Sequence, residues 1–139
     1  MTTTRDAPVE ERIRAACDPE RTTRGTARDT AELLAAIWRD EAGPAEACAE
    51  VRAVMARQIW PHRLSSGFDR THRVAGRTGT LPGRRNEAGV VEAPDGGRRA
   101  VAVFTRCDNP ELRNPRADRV IGRAAAPAVD ALRSTTLGR

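Results

Sequence analysis

Residues 73–106 read RVAGRTGTLPGRRNEAGVVEAPDGGRRAVAVFTR, and this stretch decides the fold. It contains three runs of strand-forming residues, which span 73–80, 87–92 and 99–105. Two turn sequences separate the runs, Pro82-Gly83 and Pro94-Asp95-Gly96-Gly97. Proline presets one turn dihedral and glycine supplies positive φ, so each turn predicts a hairpin. The third run is almost continuously apolar, which is typical of a strand that is covered on both faces.

Two amphipathic helices are predicted before the strands. Thr26, with Asp29 three residues later, resembles a capping box and predicts a helix start near residue 26. The apolar stripe of this helix consists of Ala27, Ala31, Leu34 and Trp38. Gly43-Pro44 ends it and begins a second helix with proline in the first turn. The second stripe consists of Cys48, Val51, Met55 and Ile59, and Pro61 is expected to end it.

The ends of the chain complete the predicted architecture. Asn114-Pro115 predicts a final helix, because a side-chain cap is followed by proline at the first helical position. Pro127 lies inside that helix and predicts a kink or a shortened helix. Residues 1–24 lack sustained periodicity, so we expect a loose lead-in there and one α+β unit over residues 25–139. The predicted fold class is α+β, with helices packed on a three-stranded antiparallel sheet.

The composition limits the structural classes to which the chain can belong. With 139 residues, of which 39% are hydrophobic and 31% charged, the chain fits one soluble compact domain. No apolar run approaches the roughly 18 residues of a membrane span, so we expect no membrane partner. Residues 1–6 contain no apolar stretch typical of a secretory leader, and the expected location is therefore cytoplasmic.

The positive net charge suggests nucleic-acid binding as one hypothesis for the function. The net charge is +5, the pI is near 10.7, and all 24 basic residues are arginine. The arginines are scattered among 19 acidic residues rather than gathered in one block. Only two phenylalanines, two tryptophans and no tyrosine are available to stack on bases. We therefore rank nucleic-acid binding below the other functions.

The cysteines and histidines indicate no metal or cofactor. Cys17, Cys48 and Cys107 have no metal-ligand spacing, and an odd count argues against a closed disulfide framework. His62 and His72 lie ten residues apart without a cysteine or carboxylate pattern beside them. Loop histidines and ordinary thiols are the favoured interpretation.

The segment 74–83, VAGRTGTLPG, resembles the third signature of class A β-lactamases and their penicillin-binding relatives. That signature is Lys-Thr-Gly or Lys-Ser-Gly on an edge strand that lines the active site. The order of the elements around it, from Thr22-Thr23 to the terminal helix, is also similar, so the resemblance covers about residues 20–133. It implies part of a β-lactamase or transpeptidase-like fold. The complete fold has five strands and a separate helical domain with the nucleophile, which implies an under-covered sheet here.

The resemblance also implies roles for four substrate-binding residues. Arg77 would place positive charge beside the substrate carboxylate, although its planar fork is not equivalent to lysine. The Thr78 hydroxyl would hydrogen-bond that carboxylate, with an ordinary edge-strand threonine as the alternative. Gly79 would allow close approach of the substrate, and the Thr80 backbone N–H would be a donor of the oxyanion hole.

Two arginines after the Pro82-Gly83 turn admit two interpretations. Arg84 or Arg85 would be able to clamp a substrate carboxylate. A solvated turn arginine is the more ordinary interpretation of either residue.

Catalysis in this family needs Ser-x-x-Lys and Ser-Asp-Asn. The chain contains no lysine, so Ser-x-x-Lys is absent, and Ser-Asp-Asn is absent as well. Its serines are Ser65, Ser66 and Ser134. The family's deacylating glutamate precedes the Thr-Thr segment, and the candidates for a remnant of it are Glu10, Glu11 and Glu20.

A replacement triad is a weak alternative. It would combine Ser65 or Ser66 with His62 or His72 and with Asp69. Closeness within one loop is not triad geometry, because nucleophile and base need separate supports.

The leading hypothesis is therefore a truncated or remnant class A β-lactamase-like serine hydrolase, inactive alone, that retains one wall of a β-lactam or peptidyl-amide site. The family reaction is β-lactam amide hydrolysis through an acyl-serine. The second hypothesis is an interaction module, which completes a split hydrolase by pairing with another polypeptide or serves as a noncatalytic binder. The expected protein partner is a second copy or a complementing chain. An arginine-rich nucleic-acid binder is the third.

Overall fold

The computed structural model describes residues 8–136. Its elements, in chain order, are α1 (Val9–Cys17), α2 (Ala27–Trp38), α3 (Ala45–Ala56), a 3-10 turn (Leu64–Gly67), β1 (Arg73–Leu81), β2 (Arg84–Glu92), β3 (Arg98–Arg106) and α4 (Pro115–Thr136). This order confirms the predicted α+β class. No helix of the described residues is long and apolar enough to cross a membrane.

The strands form one antiparallel sheet in the order β1-β2-β3. The first hairpin turns through Pro82 and Gly83, and the φ of Gly83 is +68°. In the second hairpin Gly96 has φ +80°, and the Gly97 N–H donates to Asp95 Oδ1 at 2.9 Å. Both predicted hairpins are confirmed. The strands of the first hairpin run up to the turn residues and are longer than predicted.

Two hydrophobic cores cover the two faces of the sheet, because side chains alternate along each strand. The α4 face holds Leu64, Val91, Ile121, Ala125 and Val129. The opposite face, covered by α2 and α3, holds Leu34, Met55, Ala88 and Val90. The central strand β2 is therefore buried from both sides.

Local caps begin two of the helices as predicted. Thr26 Oγ1 accepts from the Asp29 N–H at 3.0 Å, and the Thr26 N–H donates to Asp29 Oδ2 at 3.2 Å. Asn114 Oδ1 accepts from the Ala117 N–H at 3.1 Å. Helix α4 continues through Pro127 to residue 136, so the predicted shortening is wrong. Packing of its apolar face on the sheet offsets the one backbone hydrogen bond that proline removes.

Two further expectations are corrected. Residues 9–17 form helix α1 instead of a loose lead-in, with Val9 and Ile13 one turn apart. Helix α3 ends at Ala56, not at Pro61, and Ile59 is 77% exposed. The Gln58 side chain explains the early end, because it donates to the Gly76 carbonyl and accepts from the Trp60 N–H, each at 3.2 Å.

The 3-10 turn approaches α4 at two glycines. A Cβ on Gly67 would overlap the backbone carbonyl of Gly122. A Cβ on Gly122 would lie 2.5 Å from the Gly67 nitrogen and 2.6 Å from the Arg63 carbonyl oxygen. This close approach holds Arg63 beside the first turns of α4.

We expect Gly67→Ala to lower the free energy of unfolding by about 1–3 kcal/mol, because the added methyl forces the turn and α4 apart. Gly25→Ala is the matched control, since no atom lies within 4 Å of its Cβ position. Urea unfolding of both variants measures the difference. Equal stability of the two variants would contradict the close approach.

Candidate functional site

A cleft of about 750 Å³ lies between the outer edge of β1 and the start of α4. The loop and 3-10 turn before β1 form its third side. Its lining residues are Trp60, Pro61, His62, Arg63, Ser66, Thr78, Thr80, Leu112, Arg113, Pro115, Asp118 and Arg119.

The Pro82-Gly83 turn determines which backbone groups of β1 face outward. In a two-residue hairpin the pair that flanks the turn exchanges hydrogen bonds, and bonded and non-bonded pairs then alternate. The backbone N–H and C=O of Gly76, Thr78 and Thr80 are therefore directed to the outer edge. The Gln58 amide reaches the Gly76 carbonyl from that side, which agrees with the alternation.

The four predicted substrate-binding residues are divided between the two sheet faces. The side chains of Thr78 and Thr80 lie on the cleft face. Arg77 lies on the opposite face, is exposed, and donates to the Thr78 carbonyl at 2.8 Å. Gly79 lies between the two threonines, and its carbonyl accepts from Arg63 at 3.1 Å. The structure thus brings Thr78 and Thr80 to the cleft, whereas Gly79 and the Arg77 side chain do not line it.

Arg63 is the buried cation of the cleft, which the exposed Arg113 and Arg119 also line, and the sequence did not single it out. It is 8% exposed. Its Nε donates to Asp118 Oδ1 at 2.8 Å, and its Nη2 donates to Thr80 Oγ1 at 2.6 Å. Its Nη1 donates to the carbonyls of Gly79 and Asn86 at 3.1 and 3.0 Å. These partners are 16 to 55 residues away along the chain, so no local motif signals them.

Asp118 also faces Arg85, whose Nε lies 3.5 Å from the same carboxylate oxygen. Arg85 is fully buried and donates to backbone carbonyls that include that of Glu111. The interpretation of Arg85 as a solvated turn arginine is therefore wrong. Strand β2 already begins at Arg84, which is half-buried, and alternation directs the next side chain under α4. Two guanidiniums share one carboxylate here.

Glu87 is a second buried carboxyl group beneath the cleft, at 1% exposure. Its Oε2 accepts from the Leu64 N–H at 2.6 Å, and its Oε1 has no hydrogen-bond partner within residues 8–136. Burial raises the pKa of Glu87 above the ordinary 4.5, and the Leu64 N–H and the Arg63 charge offset part of the rise.

The replacement triad is not assembled in the described part of the chain. His72 Nδ1 lies 2.9 Å from Asp69 Oδ1. Hydrogen bonds from Thr71 and His72 lower the pKa of Asp69 to about 2. His72 Nε2, however, has no hydrogen-bond partner there, and the Ser66 hydroxyl donates to the Arg63 carbonyl at 2.6 Å. His72 and Asp69 therefore form a hydrogen-bonded pair, but no serine hydroxyl of the described residues bonds to His72.

Of the glutamates considered as remnants of a deacylating base, Glu11 and Glu20 do not line the cleft. Glu20 is exposed and pairs with Arg24 at 2.8 Å, and Glu11 is exposed on α1. The side chains of Glu10 and Ser134 lie outside the described residues.

Comparison with known proteins identifies similar chains. A family model described as the β-lactamase enzyme family matches residues 1–132. The β-lactamase regulatory protein BlaB of Streptomyces cacaoi is 35% identical over 128 residues, which are 84% of this chain and 41% of BlaB.

Solved structures show the same fold. A β-lactamase from Chitinophaga pinensis aligns with TM-score 0.72 and 25% identity over 88% of this chain and 47% of its own. PBP-A aligns with TM-score 0.71 and 23% identity over 84% and 43%, and a variant of it was solved as an acyl-enzyme complex with penicillin G. The chain spans less than half the length of these relatives.

We expect Asp118→Asn to lower the free energy of unfolding by about 3–5 kcal/mol, because two buried guanidiniums lose their counter-charge. Asp130→Asn on the same helix is the matched control. Its side chain is 70% exposed and 3.9 Å from a guanidinium, so a change within about 0.5 kcal/mol is expected. Denaturant unfolding compares the two. An equally small effect at Asp118 would contradict the shared ion pair.

We expect Glu87→Gln to remove a pH-dependent loss of stability. A carboxyl with a raised folded pKa binds more protons when folded, so its contribution to unfolding free energy falls as pH rises above about 4.5. Glutamine keeps the acceptor for the Leu64 N–H and does not titrate. The melting temperatures of Glu87→Gln and wild type should therefore diverge between about pH 4 and pH 8. The variant should become the more stable of the two as the pH rises.

Glu87→Ala controls for the hydrogen bond itself. It leaves the Leu64 N–H without its acceptor and does not titrate, so it is expected to be less stable than Glu87→Gln by about 1–3 kcal/mol at every pH. A wild-type protein that gains stability over Glu87→Gln as pH rises would contradict the raised pKa.

Proposed function

We propose, since this chain belongs to the β-lactamase enzyme family, that its 139 residues bind a carboxylate-bearing β-lactam or peptidyl amide without hydrolysing it by themselves. The observation that carries the proposal is Arg63, held by Asp118 beside the open edge of β1. The ligand would lie along that edge, between Thr78 and Thr80 and the start of α4.

Arg63 supports recognition of an anion through its fixed geometry. Its guanidinium is anchored on four acceptors before any ligand arrives, so little side-chain entropy is lost on binding. Arg63 shares the carboxylate of Asp118 with Arg85, and Arg113 and Arg119 also line the cleft, so arginines outnumber carboxylates in its lining. A carboxylate is the ligand group that such a floor attracts most strongly.

The edge of β1 supports recognition of a carbonyl beside that carboxylate. The Thr80 N–H is directed outward, as a donor to a carbonyl oxygen would be. The Thr78 hydroxyl lines the same cleft and supplies a neutral hydrogen-bond partner. Of the resembling Arg77-Thr78-Gly79 segment, only Thr78 lines this cleft.

The proposed lack of hydrolysis rests on the sequence. An acyl-serine reaction in this family needs the lysine of Ser-x-x-Lys, and these residues contain no lysine. The name of the Streptomyces cacaoi relative, a β-lactamase regulatory protein, supports a role in which binding is not followed by turnover.

A noncatalytic interaction module is the second candidate. The observation that favours it is the sheet, in which β3 is an apolar edge strand without a neighbour on its outer side in the described chain. A chain that completes a hydrolase with a second polypeptide is one form of this candidate.

We expect benzylpenicillin to bind the purified chain reversibly, because a carboxylate-binding cleft is present and the acylating serine-lysine pair is not. Isothermal titration or ligand-observed NMR measures binding, and intact-protein mass spectrometry detects an acyl adduct. The methyl ester of benzylpenicillin lacks the anionic group, so its affinity should be lower by about tenfold or more. Rising salt should weaken binding of the acid.

Thr78→Val tests the cleft with a variant that keeps side-chain shape. Loss of one hydrogen bond predicts about a threefold to tenfold weaker affinity. Thr22→Val, at an exposed threonine that does not line the cleft, is the matched control. Equal affinity for acid and ester would contradict the role of Arg63, and turnover of a chromogenic cephalosporin would contradict the noncatalytic role.

A further inference from the structure

The cleft carries exposed residues that the proposed carboxylate and carbonyl contacts do not use. Two of them are large apolar side chains, Trp60 and Leu112, and two are arginines, Arg113 and Arg119. We refer to these four residues as the rim. The anchored cation of the cleft, Arg63, is buried, whereas the rim residues are open to solvent. The rim therefore offers a second set of contacts to any ligand that extends out of the cleft.

The two rim arginines have no counter-charge in the cleft. Neither the Arg113 nor the Arg119 side chain forms an ion pair or a hydrogen bond within residues 8–136. The carboxylate of Asp118 lines the same cleft but is already shared by two buried guanidiniums. Glu111, the acidic residue just before this segment, does not line the cleft. Uncompensated charges beside a partly enclosed site attract an oppositely charged group.

The apolar half of the rim is held in position by the sheet edge. Trp60 is 54% exposed and Leu112 is 66% exposed. The Trp60 N–H donates to Gln58 Oε1 at 3.2 Å, and the Gln58 amide donates to the Gly76 carbonyl of β1. The Trp60 ring also contacts that of His62, with the ring centroids 6.2 Å apart. An exposed indole that is fixed in this way offers a surface on which an aromatic group of a ligand packs favourably.

We propose that the rim binds an aromatic group that carries a second negative charge, so that the cleft selects dianionic ligands over monoanionic ligands of the same framework. The inference rests on the proposed function, because the first anion is the carboxylate beside Arg63. The ring of the ligand would pack on Trp60, and its charge would pair with Arg113 and Arg119. The rim residues thus determine specificity and take no part in chemistry.

A small ligand fits the rim better than a nucleic acid, which also combines rings with anions. The cleft has a volume of about 750 Å³, which suits one drug-sized molecule. Nonspecific binding of single strands uses a row of aromatic residues on which successive bases stack. Trp60 is the one aromatic residue apart from His62 in the lining.

The test uses two cephalosporins, cefonicid and cefamandole, that share their ring system, carboxylate and acyl side chain. They differ on the tetrazole ring, which carries an anionic sulfomethyl group in cefonicid and a methyl group in cefamandole. Isothermal titration of the full chain should show about threefold to tenfold tighter binding of cefonicid, since two exposed ion pairs are added. Rising salt should reduce this ratio, because exposed pairs are screened.

Charge removal makes the test specific to the rim. Arg113→Gln combined with Arg119→Gln should weaken binding of cefonicid more than that of cefamandole and bring the ratio to about one. Arg116→Gln is the matched control, because Arg116 lies between the two in the chain and is exposed but does not line the cleft. The control should keep the wild-type ratio. Thermal unfolding verifies that the variants fold.

The fluorescence of Trp60 provides a second measurement. The chain has one other tryptophan, Trp38, which packs against the core on the α2 face of the sheet. Binding of cefonicid should change the tryptophan emission of wild type and leave that of Trp60→Phe unchanged. Phenylalanine keeps a ring for packing, so its affinity should fall less than that of Trp60→Ala. The alanine variant should bind both cephalosporins about threefold to tenfold more weakly.

Three outcomes would overturn the proposal. The first is equal affinity of the wild-type chain for cefonicid and cefamandole. The second is an emission change that persists in Trp60→Phe, because the ligand would then lie elsewhere. The third is displacement of cefonicid by a single-stranded oligothymidylate at a lower concentration than by cefamandole. Equal binding of the two cephalosporins would leave the proposed function intact, whereas failure of both cephalosporins and of benzylpenicillin to bind would overturn that function as well.

Discussion

The ion pair between Arg63 and Asp118 is the interaction on which the cleft depends. Through Arg63 it joins three parts of the chain: the 3-10 turn, the β1–β2 hairpin and the first turns of α4. Asp118 lies in the first turn of α4, where a carboxylate also interacts favourably with the helix dipole. Without this anion, Arg63 would be a buried cation without a counter-charge, although its hydrogen bonds to the β1–β2 hairpin and the Leu64–Glu87 hydrogen bond would remain. The charge pair therefore links α4 to the loop that forms the third side of the cleft.

The charges that line the cleft are unequal. The lining contains Arg63, Arg113 and Arg119 but only one carboxylate, that of Asp118. Asp118 is shared by Arg63 and the buried Arg85. An excess of arginine along a partly enclosed site favours the binding of an anion.

Local signals predicted the fold, and long-range contacts decided the site. The Thr26 cap, the Asn114 cap and the two hairpin turns depend on neighbouring residues, so each was predicted from a few positions. Arg63, Arg85 and Glu87 act through partners that only folding brings together. One signal for the last two existed: the middle strand of a meander is covered on both faces, so charged residues in it must be buried and paired. Arg85 was instead assigned to a turn, because the predicted start of β2 was three residues late.

The placement of Arg77 shows the limit of reasoning from a motif. Alternation along β1 sends the side chains of Thr78 and Thr80 to the cleft and that of Arg77 to the opposite face, so the motif's cation and hydroxyl do not share a face. The cation beside the hydroxyls is Arg63, which arrives from a different segment. The residues proposed to bind the ligand are therefore different from those that the family's reaction needs. The proposed carboxylate and carbonyl contacts need only the sheet edge, the 3-10 turn and α4, whereas the acyl transfer of the family needs a serine-lysine pair on another support. No contact that shapes the cleft in residues 8–136 involves such a pair.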